Sequence, residues 1–75
     1  MDHEWGWRSD ATGDYVHLYR DGVKSRGRIY RQSADRFAGF WDSHPIGKCD
    51  PPDLAELAAK VKEVAQSKPW IPAAD

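Results

Sequence analysis

An Asp-Gly pair at positions 21 and 22 stands between two stretches of alternating side chains, and it constrains the fold more than any other feature. Glycine accepts the positive φ that a tight turn requires, so the pair predicts a turn between two antiparallel strands. Before the turn, three rings alternate onto one predicted face: Tyr15, His17 and Tyr19. After it, four side chains share the matching face: Lys24, Arg26, Arg28 and Tyr30. The sequence therefore predicts a hairpin with one aromatic and basic face.

The segments around this hairpin predict one further strand and leave a second one open. Phe37–Asp42 is rich in aromatic residues and follows a polar break, so we expect a third strand there. His44–Cys49 contains proline and glycine and is predicted to be a loop. Residues 1–13 form either an additional short strand at Trp5–Arg8 or a flexible arm.

A helix over residues 50–67 is the best-defined element of the chain. Asp50 is a suitable N-cap, and Pro51 suits the first helical position because its missing N–H costs nothing there. Six apolar residues follow at helical spacing: Leu54, Leu57, Ala58, Val61, Val64 and Ala65. The helix is predicted to end before Pro69, which leaves residues 68–75 as an extended tail.

These elements predict a single α+β domain over residues 1–75. Its sheet, at residues 14–42, has three strands, or four if the N-terminal segment joins. The strands are antiparallel, and the C-terminal amphipathic helix packs on one face, in the order ββ(β)α. We expect the core to form between the helix stripe and the strand face that carries Val16, Leu18 and Ile29.

Charge and cysteine content exclude several classes of protein. The formal net charge is −1, although positions 20–36 hold six basic and two acidic residues. That segment predicts a basic patch, while a nucleic-acid binder usually carries a strongly positive total charge. Cys49 is the single cysteine, which excludes an internal disulfide and a cysteine metal cage. The sequence has no long apolar run, so we expect a cytoplasmic protein without membrane contact.

No catalytic motif is recognisable, and the chain is expected not to be an enzyme. His44 and Cys49 are five residues apart, which is not a known metal spacing, and no phosphate loop or nucleophile elbow is present. Cys49 precedes the helix N-terminus, where a thiol pKa can fall; the alternative is a small, half-buried residue at a loop–helix junction. No catalytic residue, metal or cofactor is therefore assigned.

A single helix covers only one side of the sheet, and that side does not need all the aromatic residues of the chain. The aromatic and basic hairpin face is therefore left with rings that the core does not use. Tyrosine with arginine is typical of recognition surfaces, but cross-strand ring and cation–π pairs also stabilise an exposed sheet by themselves. The Trp5/Trp7 segment or the C-terminal tail could fold over the same face. Trp70, between two prolines, either docks on the domain or is an anchor for a partner.

The layout resembles two kinds of known protein. "LYRDG", "GRIYR", "FAGFW", "PIGK" and "LAELAAKVKEVA" follow one another over residues 15–66, which is similar to very short β-β-β-α accessory proteins of phages and mobile elements. Some of these, including anti-CRISPR proteins, inhibit a host nucleic-acid machine stoichiometrically, so the resemblance implies an inhibitor with a host protein as its partner. The basic hairpin Tyr15–Arg31 followed by a strand and a helix also resembles the arm-type DNA-binding domains of tyrosine recombinases.

The sequence thus predicts a non-enzymatic protein-interaction module, in the form of a phage-type regulator or inhibitor. Its predicted binding residues are Tyr15, His17, Tyr19, Lys24, Arg26, Arg28, Tyr30 and Trp70. The alternatives are a sheet-based nucleic-acid binder that uses the same residues, by base stacking or groove insertion, and a homodimer that pairs two such faces.

Overall fold

The structure, a computed structural model, describes residues 2–68. The strands are β1 Trp5–Ser9, β2 Tyr15–Arg20, β3 Val23–Ser33, β4 Arg36–Trp41 and β5 His44–Cys49, and a 3-10 turn at Pro51–Asp53 leads into helix α1 Leu54–Ser67. All neighbouring strands are antiparallel and follow chain order, β1-β2-β3-β4-β5. The α+β class and the C-terminal helix are confirmed. The predicted strand number is wrong, because the sheet has five strands rather than three or four.

The predicted hairpin turn is confirmed by its backbone geometry. Asp21 and Gly22 have φ values of 52° and 81°, the two positive angles that a tight turn matched to strand twist requires. Asp21 also holds the start of the chain, because its carboxylate accepts hydrogen bonds from the Glu4 amide and the His3 ring, both at 2.8 Å. The hydrogen bond from the Glu4 amide lowers the pKa of the Asp21 carboxyl, and the hydrogen bond from His3 lowers it further.

The segment predicted to be a loop, His44–Cys49, is β5. Proline lacks the amide hydrogen of a central strand, but it is tolerated at a sheet edge, and β5 is an edge strand. Gly47 of β5 lies opposite Gly39 of β4. The third predicted strand is correct within one residue at each end, since β4 spans Arg36–Trp41.

Of the two alternatives for the N-terminal segment, the strand is correct. Trp5 and Trp7 pack against the cluster of Leu18, Trp41 and Ala65, on the same side of the sheet as α1. The alternative in which these tryptophans cover the aromatic and basic face is therefore wrong.

α1 begins at Leu54 rather than at the predicted Pro51, which instead opens the 3-10 turn, and the predicted side-chain cap is not formed. Asp50 is extended and makes no capping hydrogen bond with its carboxylate; instead its carbonyl accepts the Asp53 amide at 3.0 Å, which closes the 3-10 turn. α1 ends at Ser67, as predicted. Three residues of the predicted stripe are buried, Leu57, Val61 and Ala65, and the others are half-buried or line its margins.

α1 packs unusually close to the middle of the sheet because the strands present glycine there. A Cβ built on Gly39 would lie 2.9 Å from both Leu57 Cδ1 and Val61 Cγ2, and one on Gly27 would lie 3.0 Å from Val61 Cγ1. Real Cβ atoms essentially never come as close as 2.9 Å, and 3.0 Å is tighter than most real contacts, so the two glycines allow the helix to reach the backbone. The buried core then forms between Leu18 and Ile29 on the sheet and Leu57 and Val61 on the helix.

Candidate functional site

The outer face, defined as the sheet surface turned away from α1, carries all seven residues predicted on the hairpin. The register places Tyr15 opposite Tyr30, His17 opposite Arg28, and Tyr19 opposite Lys24. Arg26 has the same orientation, since it alternates with the buried Ser25 and Gly27. The predicted placement of these side chains is thus correct, and their role in binding stays a prediction.

Three of the rings form one packed cluster. The centroids of Tyr15 and Tyr30 are 4.8 Å apart with planes tilted by 33°, and His17 stacks on Tyr15 at 5.9 Å with an angle of 19°. Each ring is half-buried although α1 lies on the opposite face. Cross-strand ring pairs of this kind stabilise a sheet, so the predicted self-stabilisation accounts for part of this composition.

Two guanidinium groups lie over the remaining rings of the outer face. Arg8 Cζ is 4.7 Å from the centroid of Tyr19, and Arg28 Cζ is 5.2 Å from the centroid of Phe40. Sequence reasoning did not assign Arg8 and Phe40 to this surface, because their place depends on the pairing of β1 with β2 and of β3 with β4. The only local signal was their alternation with the tryptophans of the same strands.

Asp42 anchors the basic side chains at one end of the outer face. Its carboxylate lies 3.1 Å from Arg26 Nη1, and its backbone carbonyl accepts a hydrogen bond from Arg28 Nη1. No carboxylate lies within 4.0 Å of Arg8, Lys24 or Arg28 in the part of the chain that the structure describes. The outer face is therefore positively charged, with arginine planes held in place by rings and by a backbone carbonyl.

His17 lies among these cations, and its pKa is lowered. Partial burial against the rings is the largest cause, Lys24 and Arg28 add to it by charge repulsion, and Asp10 opposes it. Both effects disfavour the imidazolium form, so the ring stays neutral to a lower pH than a histidine with the ordinary pKa of 6.5 would.

We expect the ring protons of His17 to titrate in NMR spectra at a lower pH than those of a peptide spanning residues 14–20. Because the folded pKa is depressed, the unfolded chain binds more protons just below pH 6.5. The stability that His17 contributes is therefore complete above that pH and is lost as pH falls through the folded pKa. Thermal melts recorded over this pH range measure that loss of stability. His17→Gln, which cannot titrate, is the control and should remove this part of the pH dependence. A His17 midpoint at or above that of the peptide would contradict the packing described here.

Cys49, the possible metal ligands and Trp70 are the remaining groups that the sequence singled out. Burial raises the pKa of the Cys49 thiol, and Asp53 and Asp50 raise it further, so the alternative of a lowered thiol pKa is wrong and the half-buried junction residue is correct. Residues 2–68 contain no group of three or more side chains able to hold a metal ion. Trp70, the remaining predicted binding residue, lies outside the described residues.

No helix in the described range is both long and apolar enough to cross a membrane. Comparison of the chain with protein-family models, with curated proteins and with solved structures gave no match.

Proposed function

We propose that this chain is a non-enzymatic, cytoplasmic interaction module that binds another protein through its outer face. The observation that supports this most directly is the pairing of arginine planes with aromatic rings, Arg8 with Tyr19 and Arg28 with Phe40. Tyrosine and arginine dominate protein-binding hot spots, and side chains already ordered in the free state lose little entropy on binding.

The partner proposed is an acidic protein surface. Three cations of the outer face, Arg8, Lys24 and Arg28, have no carboxylate neighbour among residues 2–68, so a partner carboxylate could reach them without breaking an internal ion pair. A phage-type regulator that inhibits a host protein stoichiometrically is the biological form we propose, from the resemblance of the layout.

Nucleic acid is the competing ligand for the same cations. Stacking of bases needs free ring faces, whereas here guanidinium groups lie over Tyr19 and Phe40, and the other tyrosines pack against each other. A net charge of −1 also gives little of the long-range attraction on which such binding depends. These two features favour the protein partner.

The test compares the double variant Tyr19→Ala/Arg28→Ala with the control Tyr19→Phe/Arg31→Ala. The control keeps the Tyr19 ring and removes Arg31, an exposed arginine on the same strand as Arg28. Arg31 pairs with Phe37 and faces the helix side. Tagged forms are used to capture partners from nuclease-treated host lysate, and a captured protein is then purified and titrated calorimetrically. We expect a 1:1 complex that the control preserves and that the double variant weakens by about 30-fold or more, since the loss of even one hot spot costs about 2 kcal/mol.

Two results would contradict the proposal. A purified partner that binds both double variants equally would use another surface. Binding that disappears after nuclease treatment, and whose affinity falls steeply with salt for short oligonucleotides, would establish the nucleic-acid alternative. Loss of folding in the Tyr19→Ala/Arg28→Ala form, judged by circular dichroism, would move the comparison to the single variants, in which Tyr19→Ala alone must still weaken binding.

A further inference from the structure

The two edges of the sheet differ in how they are protected against pairing with another strand. β5 contains Pro45 and Lys48, and its pairing with β4 is interrupted by a register shift next to Phe40. Proline, lysine and bulges are the usual devices that prevent edge-to-edge association. β1 pairs with β2 in an unbroken register over Trp5–Ser9, contains neither proline nor lysine, and has Arg8 as its one charged side chain. Among the described residues, β1 is therefore the less protected edge of this sheet.

The hydrogen bonds at both ends of β1 show which peptide groups face outward. Asp21 donates its amide to the Glu4 carbonyl at 2.7 Å, and Asp10 donates its amide to the Tyr15 carbonyl at 2.9 Å. The even-numbered residues of this strand thus direct their backbone groups to β2. By the alternation of an antiparallel ladder, Trp5, Trp7 and Ser9 direct theirs away from the sheet.

The side chains along this edge carry opposite charges on one face. Arg8 lies on the outer face over Tyr19, and Glu4 has the same orientation by alternation. The Glu4 side chain is exposed and makes no ion pair within residues 2–68. The two residues are four apart in the sequence, Glu4 directly before β1 and Arg8 within it, with Gly6 midway between them.

Among residues 2–68, no close contact and no backbone angle requires glycine at position 6. A Cβ built there meets no described atom within 4 Å, and its φ is not in the left-handed region. Glycine weakens the interior of a strand relative to alanine, and it often marks a place where another backbone approaches. A second strand beside Gly6 would supply that reason.

We propose that two copies of this chain pair antiparallel through their β1 edges, with the two-fold axis at Gly6, to form a continuous ten-stranded sheet. In this register Arg8 lies opposite Glu4 of the second copy, and Glu4 lies opposite its Arg8. Trp5 of each copy lies opposite Trp7 of the other, which gives two symmetric hydrogen-bonded pairs. The side chains of these tryptophans lie on the helix side of the sheet. A two-fold axis at Trp7 would instead place Glu4 opposite Asp10 of the second copy, and an axis at Arg8 would place the two copies of Arg8 opposite each other. Both alternatives bring like charges together, so charge favours the register with the axis at Gly6.

This pairing does not depend on the protein partner proposed above, but it would engage Arg8 and leave Lys24 and Arg28 as the outer-face cations for an acidic partner. It would also place two outer faces side by side on one surface. A ligand with repeated acidic sites could then bind both faces at once, which raises the apparent affinity without any new contact.

The experiment is sedimentation equilibrium of the full chain from about 1 µM to 1 mM, with charge exchange at the proposed pair. We expect wild type to pass from a mass of 8.5 kDa to twice that value. Arg8→Glu and Glu4→Arg should each weaken dimerisation by about tenfold, because each change affects two symmetric pairs, and the double exchange Glu4→Arg/Arg8→Glu should restore it. Ser9→Pro, which removes an outward amide hydrogen and no internal bond, should also weaken it.

Three outcomes would overturn the proposal. Wild type that stays at 8.5 kDa at all concentrations would show that a second copy does not occupy the edge. A dimer whose affinity is unchanged by both single charge changes would use another register or another surface. A dimer that dissociates in Tyr19→Ala/Arg28→Ala, yet tolerates Ser9→Pro, would be one that pairs outer faces.

Discussion

Replacing Gly39 with valine is expected to remove a large share of the stability of the domain. The first added carbon alone would lie 2.9 Å from Leu57 Cδ1 and from Val61 Cγ2, and valine adds two more. Overpacking in a filled core costs about 1–3 kcal/mol, occasionally more. Val61 is fully buried and β-branched, so it has little freedom to turn aside. A domain of this size has roughly 4–11 kcal/mol in total, so α1 should lose its tight packing on the sheet.

Urea denaturation of matched alanine variants tests the physical reason. Gly39 and Gly47 are cross-strand partners under the same helix, but a Cβ on Gly47 would lie 3.6 Å from Leu57 Cδ1, an ordinary contact. Alanine restricts the unfolded chain and stabilises by about 0.4–1 kcal/mol where it fits. We therefore expect Gly47→Ala to raise the urea midpoint and Gly39→Ala to lower it. Equal shifts for the two would show that close approach of α1 is not what requires Gly39.

These glycines also show why part of the fold could not be predicted. The hairpin and the helix were predictable because their signals are local: Asp21-Gly22 sets the turn, and the apolar spacing of Leu57, Val61 and Ala65 sets the buried stripe. β5 has the opposite local signal, with proline and glycine inside it. Its strand conformation comes from pairing with β4, and Gly47 lies where α1 must approach. That requirement is visible only once helix and sheet are packed together.

The outer face divides in the same way. Alternation along β2 and β3 was sufficient to place Tyr15, Tyr19 and Arg28 on one surface. The positions of Arg8 and Phe40 depend on which strands lie beside the hairpin and in what register, and register comes from non-local pairing and from bulges. Sequence therefore predicted the composition of the surface but not the ring–guanidinium pairs on which the proposed function depends.

Leu18→Ala is the second substitution with a large expected effect, because Leu18 has no exposed surface and packs between Trp41 and Ala65. Truncating a buried leucine costs about 2–5 kcal/mol, a large share of the total for a chain of this length. Val16→Ala is the matched control, since Val16 lies on the same face of β2 but is only half-buried and lines an apolar groove beside Trp7. We expect its cost to be about 1 kcal/mol.

The effect of Leu18→Ala should extend through the sheet to the outer face. Leu18 lies where the pairing of β2 with β3 shifts register, between His17 and Tyr19, so its burial holds both of these side chains in place. In conditions where the variant is still folded, amide hydrogen exchange at His17 and Tyr19 should be faster than in Val16→Ala. Affinity for the protein partner should fall although no outer-face residue has changed. If Leu18→Ala were no more costly than Val16→Ala, or if exchange at these amides were unchanged, the outer face would not depend on the core beneath it.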